Sequence, residues 1–207
     1  LNPNEDFKNT FMTTYNTLNY LKKFLKKNTK LIFASSSAIF GSVKHKISER
    51  TPANYPESNY GSMKLASESY IASYAKNHLL KSFIFRFPNV VGKNLTHGIL
   101  YDFRKKFLSK QNVVKVLGNG NQKKPYSFSS EILDSMKYIS NLNFKTYINY
   151  FHLGPKDKGI YVKDIVKIFK KKFKIKKIKY QKSKTGWKGD IATYSYDSRK
   201  VNNLGYN

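Results

Sequence analysis

Cysteine is absent from the 207 residues. That excludes a disulfide scaffold, Cys-ligated zinc, iron–sulfur clusters and a thiol nucleophile. No metal site of any other kind is expected. Arginine is scarce: of 39 basic residues only Arg50, Arg86, Arg104 and Arg199 are Arg. Proteins that read nucleic acid favour its bidentate fork, so a nucleic-acid partner is not expected. Acids are few as well, and 12 Asp and Glu against the 39 bases leave a formal charge of +27. No apolar run approaches the ~20 residues that span a bilayer. No signal peptide is visible, which makes the cytoplasm the expected compartment and a membrane partner unexpected. The chain opens at Leu1 rather than Met, so its natural start is expected to lie upstream.

What is present suits a folded protein. The length fits one domain or one and a half. Sixteen Tyr, 15 Phe and one Trp provide ample material for a core. Lys, Asn, Ile, Phe and Tyr are abundant together, and all have A/T-rich codons, so a low-GC genome accounts for the basic charge. A surface for nucleic acid or anionic lipid is the alternative. In either case a positive field gathers anionic substrates. The densest run, Lys170 to Lys172 with Lys174, Lys176, Lys177 and Lys179, is interleaved with apolar residues and reads as the solvated side of folded elements.

Periodicity orders the elements. Phe11, Tyr15, Leu18, Leu21 and Leu25 predict an amphipathic helix over 7–27, with Asn28 as its stop. Residues 30–34 form a short apolar run without alternation, as in a parallel strand buried on both faces. A helix is predicted over 59–78 and a second buried strand over 82–87, stopped by Pro88. Helix, strand, helix, strand with crossover-length linkers is an α/β parallel-sheet pattern. Beyond it the sequence predicts a helix at 100–108, a strand at 113–117, a turn at 118–121 and a helix at 130–142 capped by Ser129 or Ser130. A strand at 149–153, a Lys-rich helix at 161–173 and a half-exposed strand at 175–180 follow.

One constellation suggests chemistry. The first strand runs into Ser35-Ser36-Ser37, and the helix after it carries Tyr60 with Lys64 four residues on, on the same face. An ammonium beside a phenol favours the phenolate and lowers its pKa from about 10. A phenol so tuned is a usable general base. A serine hydroxyl at the C-terminal end of a parallel strand lies where such sheets place ligands. Taken alone, Tyr-x-x-x-Lys also fits a surface Tyr resting on a Lys stem.

The wider context is more specific. The segments LIFASSSAIFG, YPESNYGSMKLASESYIASYAKNH and SFIFRFPNVVG, then GNGNQKKPYSF, GWKGD at 186–190 and DSRKVNNLGYN at the end, occur in that order. Together they resemble the extended short-chain dehydrogenase/reductase family, in particular its NAD-dependent nucleotide-sugar epimerases and dehydratases. The resemblance implies that Tyr60 is the catalytic base, Lys64 its partner and nicotinamide-ribose ligand, and Ser36 the catalytic hydroxyl. It assigns Ala34, Ser35, Phe87 and Pro88, with Tyr60 and Lys64, to the cofactor. Ser37, Asn89, Leu95, Thr96, His97, Lys124 and Asp190 are assigned to the nucleotide sugar. An ordinary loop is an equal reading of residues 95–97. The implied fold is an incomplete Rossmann-like parallel sheet with a smaller C-terminal α+β substrate-binding part. Residues 1–92 would carry the trio, and 93–207 would hold the nucleotide sugar while returning elements to the sheet. A homodimer through the helices at 7–27 and 59–78 is also implied.

The implied activity is C4 epimerisation of a nucleotide sugar, and two residues argue against 4,6-dehydration. Dehydratases of the family place an Asp-Glu pair directly after the catalytic hydroxyl residue, where this chain has Ser37 and Ala38. Other departures are Phe40 for Tyr, Met63 for Ser or Thr, Lys124 for Arg and Trp187 for a phosphate-binding Arg. The last two leave UDP open as the nucleotide. The family's G-x-x-G-x-x-G turn, which cradles the NAD pyrophosphate, does not occur in these 207 residues. The chain is therefore expected to be the C-terminal part of a longer enzyme, binding NAD poorly and inactive alone, with an unpaired edge on its first strand. A dehydratase, decarboxylase or reductase of the same family, or a non-catalytic basic binding module, are the alternatives.

Overall fold

The computed structural model describes residues 2–205 apart from 27, 44, 54, 110–112 and 188. Leu1, Lys188 of the GWKGD segment and Tyr206 and Asn207 of the ending thus lie outside the described residues.

A helical rod opens the chain: α1 (Pro3–Asp6), a π-helical stretch (Phe7–Met12) and α2 (Thr13–Leu21). It starts earlier and ends sooner than the predicted 7–27. Beyond Leu21 the backbone tightens, with Lys23 N–H donating to the Tyr20 carbonyl and Phe24 N–H to that of Leu21. Lys22 and Lys26, one turn apart, would repel each other along a continued helix.

β1 (Lys30–Ser36) leads through a 3₁₀ turn (Ser37–Phe40) and a loop to α3 (Asn59–Asn77), then β2 (Lys81–Phe87) and β3 (Asn89–Val91). Next come α4 (Ile99–Leu108), β4 (Val113–Val116), β5 (Lys123–Lys124), β6 (Tyr126–Phe128) and α5 (Ser129–Asn141). The chain closes with β7 (Ile148–His152), β8 (Ile160–Tyr161), α6 (Val162–Phe173), β9 (Lys177–Tyr180) and α7 (Arg199–Asn202). The predicted strand at 175–180 is shorter, because Ile175 is buried at the end of α6. At α5 neither Ser129 nor Ser130 caps. The N-cap is Phe128, whose N–H donates to the Glu131 carboxylate, so a side chain inside the first turn does the capping.

The sheet is parallel, in the order β1-β2-β7, with Ala34 opposite Phe85 and Arg86 opposite His152. The period of two divides β2 between two layers. Phe83 and Phe85 meet Ile132 and Ile139 of α5 and Phe151 of β7. Ile84 meets Leu18 of α2 and Ile71 and Tyr74 of α3. Helices therefore cover both faces of an α/β sheet. Among the described residues β1 has a partner on one side only, and Ile32 is exposed there. A second core joins α4, β4 and α6 through Phe103, Phe107, Val114, Val116, Ile165 and Val166. A third, containing Ile39, Phe40, Ile47, Ile191, Tyr194 and Tyr196, knits the 3₁₀ turn to the C-terminal segment. No described helix is long and apolar enough to cross a membrane.

Candidate active site

The site begins where β1 ends. Ser36 is extended, and its hydroxyl accepts the Ala38 N–H at 3.2 Å, starting the 3₁₀ turn. α3 points its N-terminus at this turn. Ser58 caps it by accepting the Gly61 N–H at 3.1 Å. A Cβ on Gly61 would stand 2.4 Å from the Ala38 carbonyl oxygen, so only glycine permits so close an approach. Gly41, at φ +62°, turns the chain away beneath the Tyr55 carbonyl.

This docking brings Ser36, Tyr60 and Lys64 together. Burial is the largest influence on the Tyr60 phenol, and the neighbouring Ser36 hydroxyl pulls its pKa down. Burial and, more weakly, Asp6 push the other way, and burial dominates, so the phenol titrates above its ordinary value. The residue as a whole still presents 38% of its surface to solvent. Lys64 Nζ donates to the Ala34 carbonyl at 2.8 Å and stands 5.7 Å from the Tyr60 ring centre and 4.8 Å from that of Phe33. Burial lowers its pKa while Glu68 raises it, and the net shift is down. The expectation that Lys64 lowers the phenol is thus corrected: the ammonium serves a carbonyl, and desolvation of the phenolate sets the direction of the shift.

The other anticipated residues divide. Ser35 is buried and its hydroxyl donates to Glu68. Ser37 is buried beside the Tyr194 and Tyr196 phenols. Both residues are buried within the protein. Ala34 uses its carbonyl on Lys64, while Phe87 closes β2 and is followed by Pro88. Asn89 Nδ2 donates to the Pro125 carbonyl and to the Tyr194 hydroxyl, each at 3.2 Å. Burial, ahead of other influences, pushes the Tyr194 phenol up to about 12. Lys124 and Asp190 form an ion pair, and Asp190 also accepts the Gly186 N–H at 2.8 Å. Leu95, Thr96 and His97 lie in the loop before α4, where the Thr96 hydroxyl and His97 Nδ1 are 3.2 Å apart and exposed.

Sequence reasoning missed the ionic network beneath the trio. Glu68 receives Arg86 on both carboxylate oxygens, and Arg86 reaches to 3.4 Å from His152 Nε2. Burial first, then the neighbouring Arg86, depress His152 to about 3. Two signals were available: Glu68 continues the four-residue series of Tyr60 and Lys64, and Arg86 interrupts an otherwise apolar buried strand.

A two-faced parallel sheet with a Ser-Tyr-Lys grouping at the C-terminal end of one strand defines a Rossmann-like short-chain dehydrogenase/reductase. Residues 1–146 match the NAD dependent epimerase/dehydratase family, and the chain belongs to that family. A UDP-galactose 4-epimerase structure superposes with a TM-score of 0.84 at 25% identity, over 100% of this chain and 66% of that one. The UDP-glucuronic acid 4-epimerase of Bacillus cereus, in complex with UDP-glucuronic acid and NAD, gives 0.81 at 23% identity, over 95% and 61%. The dTDP-glucose 4,6-dehydratase of Bacillus anthracis, in complex with NAD, gives 0.78 at 17%, over 93% and 59%. The latter two are likenesses of fold. The chain spans less than two thirds of each of these structures. No curated protein sequence matches it.

Proposed function

We propose that this chain carries the acid–base and sugar-binding side of an NAD-dependent nucleotide-sugar 4-epimerase acting on a UDP-linked sugar. The observation that carries the reading is the meeting of Tyr60 with Ser36 beside the Lys64–Ala34 contact. The family match and the UDP-galactose 4-epimerase likeness support it.

The donor set fits part of the cofactor. A phenol and an ammonium on one helix face, at the mouth of a parallel strand, suit the two hydroxyls of a nicotinamide ribose, with Phe87 and Pro88 on the ring side. A pyrophosphate cradle of the Gly-rich kind does not occur among these 207 residues, so the fit extends to the nicotinamide half. NAD, when bound, supplies a hydride acceptor that later returns the hydride. The chain's own work is to move and hold a proton. Tyr60 takes the proton of the sugar 4-hydroxyl, Ser36 hydrogen-bonds the same oxygen, and Tyr60 returns the proton to the inverted alcohol. Lys64 holds positive charge near the phenol. Because the phenol titrates high, turnover should rise with pH through neutrality. Asn89, the 95–97 loop, Lys124 and Asp190 would orient the nucleotide diphosphate.

Position 37 favours this reading over dehydration. Elimination needs an acid and a base after the catalytic hydroxyl, whereas Ser37 is buried and Ala38 has no polar side-chain atom. NMR identification of the product separates epimerase from dehydratase, decarboxylase or reductase. Salt-sensitive retention on DNA or RNA would instead support a basic binding module. In the same proposal, a homodimer covers the exposed Phe7 and Tyr15 beside Tyr70 of α3.

The central test joins the first βα units of a UDP-galactose 4-epimerase to this chain and follows UDP-galactose turnover. Tyr60→Phe should lower the rate by about 10²–10⁴-fold. Equal rates for the two proteins would remove Tyr60 from the chemistry. The chain alone, titrated calorimetrically, should show weak NAD binding; tight binding would show the Gly-rich turn to be dispensable.

A further inference from the structure

Three residues of α3, spaced by four, meet three consecutive residues of β1. Tyr60 faces Ser36, Lys64 holds the Ala34 carbonyl, and Glu68 accepts from the Ser35 hydroxyl. Helical spacing makes the three side chains one stripe. Glu68 is the innermost, 2% exposed. It is also bound to the next strand, since Arg86 Nε lies 3.0 and 3.2 Å from its two oxygens and Nη2 2.6 Å from Oε2. Arg86 is opposite Ser35 in the β1–β2 register. Its guanidinium stands over Phe40 at 5.2 Å and Tyr150 at 4.7 Å. A buried pair of this kind adds little stability over an apolar replacement, because both ions are taken from water. Its value must lie in what it fixes in place.

We propose that Glu68 is a positioning residue for the Tyr60–Lys64 pair: its carboxylate ties β1, through Ser35, and β2, through Arg86, to α3 one helical turn beyond Lys64. This inference takes its catalytic meaning from the function proposed above, but its geometry can be tested without turnover. Slide α3 along the sheet and the Lys64 ammonium leaves the Ala34 carbonyl. The titratable groups beside Lys64 are Tyr60 and Glu68 on its own helix; Asp6 of α1 acts on Tyr60, and Arg86 of β2 on Glu68.

The readout is the pH midpoint for trace acetylation of the Lys64 amine in the 207-residue chain, measured by mass spectrometry. Lys81, which donates to the Phe144 and Thr146 carbonyls, serves as the internal reference. Glu68→Asp keeps the charge and shortens the reach by one methylene. Ser35→Ala leaves every charge in place and removes one tie, with little risk to folding. In both variants Lys64 should become less buried, and its midpoint should rise toward that of an ordinary lysine while Lys81 stays put. An unchanged Lys64 midpoint in folded Ser35→Ala and Glu68→Asp overturns the proposal. Equal movement of Lys64 and Lys81 overturns it too, because that marks general loosening. Neither substrate nor NAD is present, so a failure of the epimerase reading would leave this measurement intact.

Discussion

The end of the three-stranded sheet and the lobe built from α4, β4, α6 and β9 handle charge in opposite ways. The sheet end takes Glu68, Arg86 and His152 inside the protein, each less than a tenth exposed. The lobe's core is wholly apolar. Between residues 163 and 184 it carries eleven lysines and a single acid, Asp164, and Lys170, Lys171, Lys172 and Lys174 are all exposed. The few buried charges touch several elements each, whereas the many surface charges touch water. Removing one of the former should therefore matter far more than removing one of the latter. The steepest contrast is between Arg86→Met and Lys171→Gln. Arg86→Met strands the Glu68 carboxylate and should cost about 3–5 kcal/mol in urea unfolding. Lys171→Gln should stay within about 0.5 kcal/mol. Similar costs for the two would break the comparison. Adding Glu68→Gln to Arg86→Met should recover much of the loss, because no ion is then left buried.

Lys124–Asp190 is an intermediate case, an ion pair with its lysine side chain 17% exposed and its carboxylate 4% exposed. Lys124→Ala leaves Asp190 with the Gly186 N–H as its remaining partner. A loss of about 2 kcal/mol is expected, smaller than for Arg86 because water can reach the lysine side. Lys124→Arg keeps the charge and should lose little. In the joined enzyme it should bind the UDP sugar more tightly, because a guanidinium grips phosphate in two places. Denaturation curves and substrate titrations separate the two effects.

His152 extends the contrast to pH. Its folded pKa, about 3, lies below its ordinary value of 6.5. The unfolded chain therefore binds the proton that the folded one excludes. This contribution is fully present above pH 6.5 and is lost progressively as pH falls toward 3. The slope is about 1.4 kcal/mol per unit. The melting temperature should drop between pH 6.5 and 4, and His152→Gln should flatten that part of the curve. A variant as acid-sensitive as the parent would assign the loss to other groups.

Which parts of this were legible in the sequence follows from the range of the interactions. β1, α3 and β2 were placed to within a residue or two, because apolar runs and helical spacing are local signals. The grouping of Ser36, Tyr60 and Lys64 at the end of β1 is legible the same way, from the strand end and the four-residue spacing. The boundary of α2 was missed because its last turn is decided by lysine repulsion and i→i−3 bonds, which compete closely with helix continuation. The cap of α5 was assigned to a serine because Glu131 caps from inside the helix. The burial of Ser35 and Ser37 could not be read, since it depends on Glu68 and on Tyr194 and Tyr196, residues 33 to more than 150 positions away. The direction of the Tyr60 shift was misread for a related reason: spacing reveals the ammonium but not how much water the fold removes.

A small gain is expected at two helix ends, one beside the sheet and one in the lobe. α3 is followed by Leu79 at φ +52°, and α6 by Lys174 at the same φ. Both are left-handed positions, where a side chain with a Cβ is strained and glycine is not. Leu79 is also 65% exposed, so its replacement sacrifices little burial. Leu79→Gly and Lys174→Gly should each gain roughly 0.5–1 kcal/mol, the relief of backbone strain exceeding the added entropy of the unfolded chain. The comparison sharpens if the gains are equal, because backbone strain does not depend on whether ions are buried nearby. A gain confined to Lys174→Gly would mean that Leu79, though exposed, holds α3 in place by packing.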